Sequence, residues 1–564
     1  MRLRRDDRFV SDVQLALLCA VIGALAALGA HAFRLLLNYA ELALLTGLTG
    51  LDTAIASVAE ETLAWQRRAM IPVATTLGGA LCGLLTACFA KEAAGGGENA
   101  VIDSFHQSGG SIRYRVPFVK ALASALTIGS GGAAGREGPL AQIAAGIANY
   151  VSRVARLSVP NRRILMLAGT AAGVSAMFKT PLGAAFLAVE VLYRDLEFES
   201  DALIFCIIAA AVGYAITGFY DDWTPIFRIP VGLAFQDSSD LLWYALLGLL
   251  AGAMSMVVPV IYYLVERWFE KSDLQLWMRP AVGGMLLGIL GAAYPELLGS
   301  GYRWIQQAID GSVGLHLLFV LGLGKILAFS LTIGSGGSGG VFAPVLFSGA
   351  MFGSALAVVL HGVADVPEIG AMAVVGMAAF YAGIGRAPIA SLIIVTELTG
   401  GYGLIVPTML AVSVAFMMQP LIAYISPGTF PTLYRAQVPT KVESPTHQQE
   451  YLQTALNVLE QEGVQLSGPV AIPELTKLLR RGHPIPIGSE GSFVYQLEVP
   501  QTASIVGQKI RDLAFVDKLL IAAIFRDGQM LTPRGTTELA AGDRLVTICR
   551  PEELRAIARE LHVV

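Results

Sequence analysis

The chain has 564 residues, of which 54% are hydrophobic and only 15% charged. A soluble chain carries roughly 25% charged residues, so the composition excludes an ordinary soluble enzyme and makes the lipid bilayer a partner. The net charge of −4 and the lack of a basic stripe exclude nucleic acid.

Arg2-Leu3-Arg4-Arg5 precede an apolar stretch running from Val13 to about Leu37. That stretch is longer than a signal-peptide core and long enough to span, which predicts a retained first helix with its arginines on the cytoplasmic side. Further apolar segments fall near 71–90, 117–128, 139–155, 163–176, 181–194 and 201–218. A polar connector with Asp221-Asp222 and Asp237 to Asp240 separates them from a second set near 241–266, 279–297, 315–332, 343–361, 370–383, 388–399 and 404–426. Seven segments answer seven, as repeats of about 10–218 and 240–426.

The match extends to individual residues. Lys120–Pro139 returns 205 residues later as Lys325–Pro344, with twelve of twenty positions identical. Each copy is an apolar run, a glycine-rich break and a proline that opens a second run. Gly169 to Glu190 likewise matches Gly376 to Glu397, with Pro181 and Pro388, Lys179 and Arg386 at equal spacing. Internal duplication with interrupted apolar segments in both halves marks a midplane ion or solute site. An odd number of crossings per half predicts an inverted repeat. Segments such as 117–128 fall short of the ~20 residues of a full span, so they are expected as half-helices enclosed by protein.

Past Gln437 the composition changes. Residues 438–490 read as a polar cytosolic linker with an amphipathic helix near Tyr451–Glu462 and a basic patch at Lys477–Arg481. From 491 a small α/β unit is predicted: strands Phe493–Val499, Leu519–Phe525 and Arg544–Cys549, a turn at Asp527-Gly528 and a terminal helix Pro551–Leu561. Seven plus seven crossings would return this unit to the cytosol. The predicted fold class is therefore an all-α polytopic membrane protein, an inverted repeat with broken half-helices, followed by a small soluble α/β domain.

Helix N-termini leave about four N–H groups unpaired and carry roughly half a positive charge. Two proline-opened termini meeting near the midplane would bind an anion without a buried cation. That is weak enough for the ion to leave, as conduction requires. Glu137 stands at the first terminus. Ionised, its carboxylate mimics the anion; protonated, it can swing out, so it is the candidate gate and proton carrier. The alternative for Glu137 is a helix-capping carboxylate or a partner for Arg136.

The segments Gly129–Pro139 and Gly334–Pro344 resemble the signature segments of the CLC family of chloride channels and chloride/proton exchangers, and the likeness covers about residues 10–437. It implies that Glu137 is the gating glutamate, that the amides of Val341 and Phe342 bind a central anion, and that those around Arg136, Glu137 and Gly138 bind an outer one. Thr432-Leu433-Tyr434-Arg435 resembles the segment bearing the family's anion-binding tyrosine, here Tyr434. A homodimer with one pathway per subunit, in the plasma (inner) membrane with both termini cytoplasmic, is also implied. So are chloride or other small anions as substrates, with protons as a possible second one.

Two departures stand out. Gly95-Gly96-Gly97-Glu98-Asn99 aligns with the family's first motif, where a serine binds the central anion; that position is Gly96. Glu98 and Asn99 there either cap the next helix or act directly. The internal proton-relay glutamate of well-known exchangers aligns with Val191, as in channel members. Exchanger and passive channel therefore both remain open. The recurring charges Lys120, Lys325, Glu190, Glu397, Lys179 and Arg386 read as ion pairs or helix-end charges.

Cys19, Cys82, Cys88, Cys206 and Cys549 form no CxxC pair and are expected to be buried thiols. The seven histidines show no metal spacing and no phosphate loop or dinucleotide fingerprint occurs, so no cofactor is expected. No Ser/His, paired Asp or HExxH arrangement lies in the apolar segments, which argues against an intramembrane enzyme. A non-conducting sensor would predict loss of the proline-opened half-helices, which are intact. The segment from about 491 resembles the TrkA-C half of regulator-of-K⁺-conductance domains, with an unspecified ligand or a dimer contact as its role.

Overall fold

The computed structural model describes residues 2–51, 65–230, 232–362, 364–425 and 432–448. Toward the C-terminus it describes 485–487, 492–500, 503, 505–513, 519–526, 529–531 and 533–549. Two compact units divide at Gln437/Val438. The expected helices at Tyr451–Glu462 and Pro551–Leu561, the Lys477–Arg481 patch and the Asp527-Gly528 turn lie outside the described residues.

The first unit is helical. Its first half holds α1 (Arg2–Glu41), α2 (Ile71–Phe89), α3 (Gly97–Gln107), α4 (Val116–Gly129), α5 (Glu137–Val154), α6 (Val159–Phe178), α7 (Pro181–Glu190) and α8 (Ser200–Thr217). Its second half holds α9 (Leu241–Lys271), α10 (Met278–Ala293), α11 (Tyr302–Ile309), α12 (Leu315–Gly334), α13 (Phe342–Leu360), α14 (Ile369–Gly385), α15 (Pro388–Thr399) and α16 (Ile405–Ile425). The fourteen apolar segments all appear as helices. The structure adds α3 and α11, which are too short and too polar to stand out as apolar runs.

Among the described residues, seven helical stretches are long and apolar enough to cross a membrane. Pieces such as α4, α7 and α15 are shorter than a span and pack inside the unit, where irregular backbone at their ends is sheltered from lipid.

Packing repeats between halves: α5 lies on α6 as α13 lies on α14, and α1 on α8 as α9 on α16. Across the halves α2 packs on α10 and α7 on α15. The relation between halves is an inversion. Gly135 and Gly340, equivalent residues, exchange both backbone hydrogen bonds at 2.8 Å as an antiparallel bridge. The Ser338 amide donates to Thr127 Oγ1 and the Ala133 amide to the equivalent Thr332 Oγ1, both at 3.2 Å. Reciprocal bonds between equivalent atoms place a two-fold axis between the glycines.

The second unit is a five-stranded antiparallel sheet, in the order β1 (Ile485–Ile487), β2 (Ser492–Glu498), β5 (Arg544–Cys549), β3 (Leu520–Arg526), β4 (Gln529–Leu531). Val499, Ile524, Leu539 and Leu545 form its buried core. β1 lies inside the stretch that reads as linker, because three residues around a proline give no alternation to recognise. Cys88 is exposed, contrary to the expectation of buried thiols, whereas Cys19, Cys82 and Cys206 are buried.

Candidate functional site

Two broken helices meet at the inversion axis. The α4–α5 break and the α12–α13 break are knit together by the Gly135–Gly340 bridge, and Gly95 pairs with the segment Gly337–Gly339 beside them. Ser338 Oγ ties the same junction to Ser124 Oγ and the Ala93 carbonyl, each at 2.8 Å. The N-termini of α3, α5 and α13 are thus held in one place by backbone and hydroxyl bonds, which fixes where their unpaired amides point.

Glu137 opens α5 and is 2% exposed. The Ala343 amide, in the first turn of α13, donates to its Oε1 at 2.9 Å. Oε2 has no hydrogen-bond partner among the described residues. The carboxylate lies over two glycines. A Cβ on Gly340 would fall 2.6 Å from Oε1, and one on Gly135 would overlap the carboxylate. Both positions therefore need glycine for close approach.

Arg136 points elsewhere: its guanidinium lies 5.9 Å over the Tyr302 ring. Val341 is the buried N-cap of α13. The Phe342 ring meets Tyr381 at 4.5 Å and Phe178 at 5.5 Å.

A cavity is lined by Glu98, Glu137, Val191, Phe342, Tyr381 and Tyr434, together with apolar groups. Of the expected site residues it brings together Glu137, Phe342 and Tyr434; Arg136, Val341, Gly138 and Gly96 do not line it. Gly138 borders it from behind, since a Cβ there would overlap the Glu98 carboxylate. Gly96 is the N-cap of α3, with φ −72°, and its Cβ would sit 3.3 Å from Glu98 Oε2.

Tyr434 is buried and its Oη lies 3.1 Å from Tyr381 Oη. Tyr381 is absent from the sequence-based candidates because it is one aromatic in an apolar helix; its hydroxyl shows only once Tyr434 is placed beside it. The Tyr434 segment is held from several sides. Tyr263 Oη donates to the Thr432 and Leu433 carbonyls, and Gln437 Nε2 to the Val191 and Gly385 carbonyls. Asn99 Nδ2 reaches the Leu433 carbonyl at 3.5 Å, and Asn99 Oδ1 accepts from the Ala436 amide at 3.2 Å. Asn99 therefore holds the Tyr434 segment rather than capping α3.

The recurring charges are helix-end and carbonyl-binding groups. Glu190 accepts from the Ile389 and Ala390 amides at the start of α15; Glu397 accepts from the Leu182 and Gly183 amides at the start of α7. Each half thus caps the other's proline-opened helix, offsetting its dipole. Lys120 Nζ donates to the Ala93 and Gly95 carbonyls, and Lys325 Nζ to those of Leu297 and Gly299. This pairing makes Gly299-Ser300-Gly301-Tyr302 the counterpart of Gly95-Gly96-Gly97-Glu98. Lys179 and Arg386 close α6 and α14 in the left-handed region, φ 58° and 60°. Lys179 pairs with Asp222, while Arg386 donates to the Arg194 and Phe416 carbonyls.

The family model for voltage gated chloride channels matches residues 78–419, and that for the TrkA-C domain matches 494–562. A ClcB-like protein from Ralstonia nicotianae is 29% identical over 405 residues, 70% of this chain and 91% of its own. The H(+)/Cl(-) exchange transporter ClcA of Citrobacter koseri is 31% identical over 333 residues, 57% of this chain and 69% of its own. Among solved structures, a slow cyanobacterial Cl-/H+ antiporter superimposes with a TM-score of 0.64 at 24% identity, covering 74% of this chain and 96% of that one.

Proposed function

The chain belongs to the voltage gated chloride channel family, and we propose that it moves chloride or a similar small anion past Glu137, with a proton carried by the same residue. One observation carries this reading: a carboxylate bonded to the Ala343 amide at the N-terminus of the opposite broken helix. Amides at a helix start suit any anion, so the Glu137 carboxylate and a mobile anion compete for one position. Protonation removes the negative charge that holds the side chain there. The neutral side chain can then rotate away and leave the amides to the anion. A hydrogen bond to a charged group is worth about 1.5–3 kcal/mol and one between neutral groups about 0.5–1.5 kcal/mol, so protonation also weakens the bond to Ala343.

On this reading Tyr434 and Tyr381 supply the hydroxyl donors at the cavity, in place of the hydroxyl that Gly96 lacks. The amides of Val341 and Phe342 face the central anion, and those of Arg136 and Gly138 the outer one. A passive channel is the second reading, favoured by Val191, which puts an apolar side chain on the cavity wall. We also propose a homodimer in the inner membrane with both termini in the cytoplasm. Its C-terminal sheet would act as a regulatory or dimer-contact domain.

Recording anion and proton movement together from liposomes, under opposing gradients, tests the reading. Uphill proton movement driven by chloride supports exchange; chloride flux with no proton movement supports the channel. No anion flux from well-folded protein contradicts both.

A further inference from the structure

Glu98 is the second carboxylate of the cavity, and among the described residues no side chain hydrogen-bonds or ion-pairs with it; the Lys120 ammonium acts on it only through space. It lies in the first turn of α3, is 8% exposed, and neither of its oxygens has a hydrogen-bond partner among the described residues. It lines the cavity shared by Glu137, Tyr381, Tyr434 and Val191. The surrounding groups are committed elsewhere. Lys120 on α4 binds the Ala93 and Gly95 carbonyls, Tyr381 on α14 bonds Tyr434, and Glu137 on α5 faces Ala343. Gln142 on α5 donates to the Glu92 carbonyl, Glu92 pairs with Arg113, and His106 on α3 meets the Leu192 carbonyl.

Burying an ionised carboxylate without a partner costs several kcal/mol, and a fixed negative charge in an anion pathway repels the transported ion. Its counterpart in the other half is Tyr302, a neutral residue. A carboxylic acid avoids both penalties, since its O–H can donate toward an anion. Gly138 leaves room for the group beside the start of α5.

We propose that Glu98 is a second proton-binding site of the pathway, which exchanges its proton with Glu137 across the cavity and does what Val191 cannot. The inference rests on the anion-pathway reading above. In the transfer step the Glu98 O–H proton passes across the cavity that both carboxyl groups line to the Glu137 carboxylate. It leaves Glu98 ionised and Glu137 neutral, free of Ala343. Glu98 is then reprotonated from the side of the cavity away from Glu137.

The test uses the full chain in liposomes, as wild type, Glu98→Gln, Glu98→Asp and Glu137→Gln, with chloride and proton fluxes recorded across a pH series. Glu98→Gln is expected to lower the proton-to-chloride ratio at least tenfold and to displace the pH profile of chloride flux, with Glu98→Asp retaining a substantial part of the ratio. A wild-type ratio and profile in Glu98→Gln overturn the proposal. If wild type carries chloride with no protons, the exchange reading fails separately and Glu98 is judged on the pH profile: displaced in Glu98→Gln supports it, unmoved overturns it. Should Glu98→Gln not assemble, Glu98→Leu, which also removes the proton-binding group, is measured and judged in the same way.

Discussion

Glu137 Oε1 accepts a hydrogen bond from the amide of Ala343, 2.9 Å away and 206 residues further along the chain. The bond joins the starts of two broken helices related by internal duplication, one of which supplies a carboxylate and the other only backbone. That asymmetry within a symmetric frame is what lets one side chain act as a gate.

The space that Glu137 occupies depends on Gly135. A methyl group there overlaps the carboxylate, so Gly135→Ala is expected to hold Glu137 away from Ala343. Chloride flux at alkaline pH should then rise above wild type, because the gate no longer closes by ionisation. Wild-type closure at alkaline pH in this variant would mean that the carboxylate closes from another position.

Tyr434→Phe removes one hydroxyl and keeps the ring, leaving Tyr381 Oη without its 3.1 Å partner. Losing a hydrogen bond to an anion should cost about 1.5–3 kcal/mol, or roughly tenfold or more in affinity. Calorimetric titration with chloride checks this; equal affinity in the two proteins would place the anion away from Tyr434.

Gly96 adopts φ −72°, ψ 129°, a conformation open to any residue, so Gly96→Ser should fold. The new hydroxyl would stand beside Glu98 at the cavity edge. A donor to concentrated charge is the stronger one, so permeability should shift toward chloride over nitrate. An unaltered chloride-to-nitrate ratio would remove the start of α3 from the anion site.

In the C-terminal sheet, Arg526 grips Asp543 through two bonds of 2.7 and 2.8 Å, and the Ala540 amide adds a third at 2.8 Å. Burial alone would raise the Asp543 pKa, but Arg526 and the amide outweigh it and hold the carboxyl below its usual range. A lowered value stabilises the fold above the unfolded-state pKa of about 3.9, and the contribution is lost as pH falls through the folded value. Asp543→Asn should speed hydrogen exchange of β3 and β5 amides about tenfold or more at pH 7, with the difference fading toward pH 3. An undiminished difference at pH 3 would assign the effect to packing.

Much of this fold is legible in the sequence because duplication states it twice. The helix starts at Pro181 and Pro388 and the breaks around Gly135 and Gly340 are set by proline and glycine chemistry that needs no tertiary context. What is not legible depends on that context. α3 and α11 are short and amphipathic, so no apolar run announces them. Tyr381 differs from the adjacent Phe380 only by a hydroxyl, whose partner lies 53 residues away. Asn99 looks like a capping residue, yet its partners lie on the Tyr434 segment more than 330 residues later. The mutual capping by Glu190 and Glu397 follows from repeat symmetry, although spacing alone could equally have meant ion pairs with Lys179 and Arg386.

The central claim is that one carboxylate is both gate and proton carrier, and Glu137→Gln tests it most directly. The amide keeps the size of the side chain but holds no charge to compete with the anion and no exchangeable acid proton. In liposomes under opposing chloride and proton gradients, the variant should pass chloride, lose the pH dependence of that flux and move no protons with it. Chloride flux with the wild-type pH profile, or proton movement still coupled to chloride, would contradict the account.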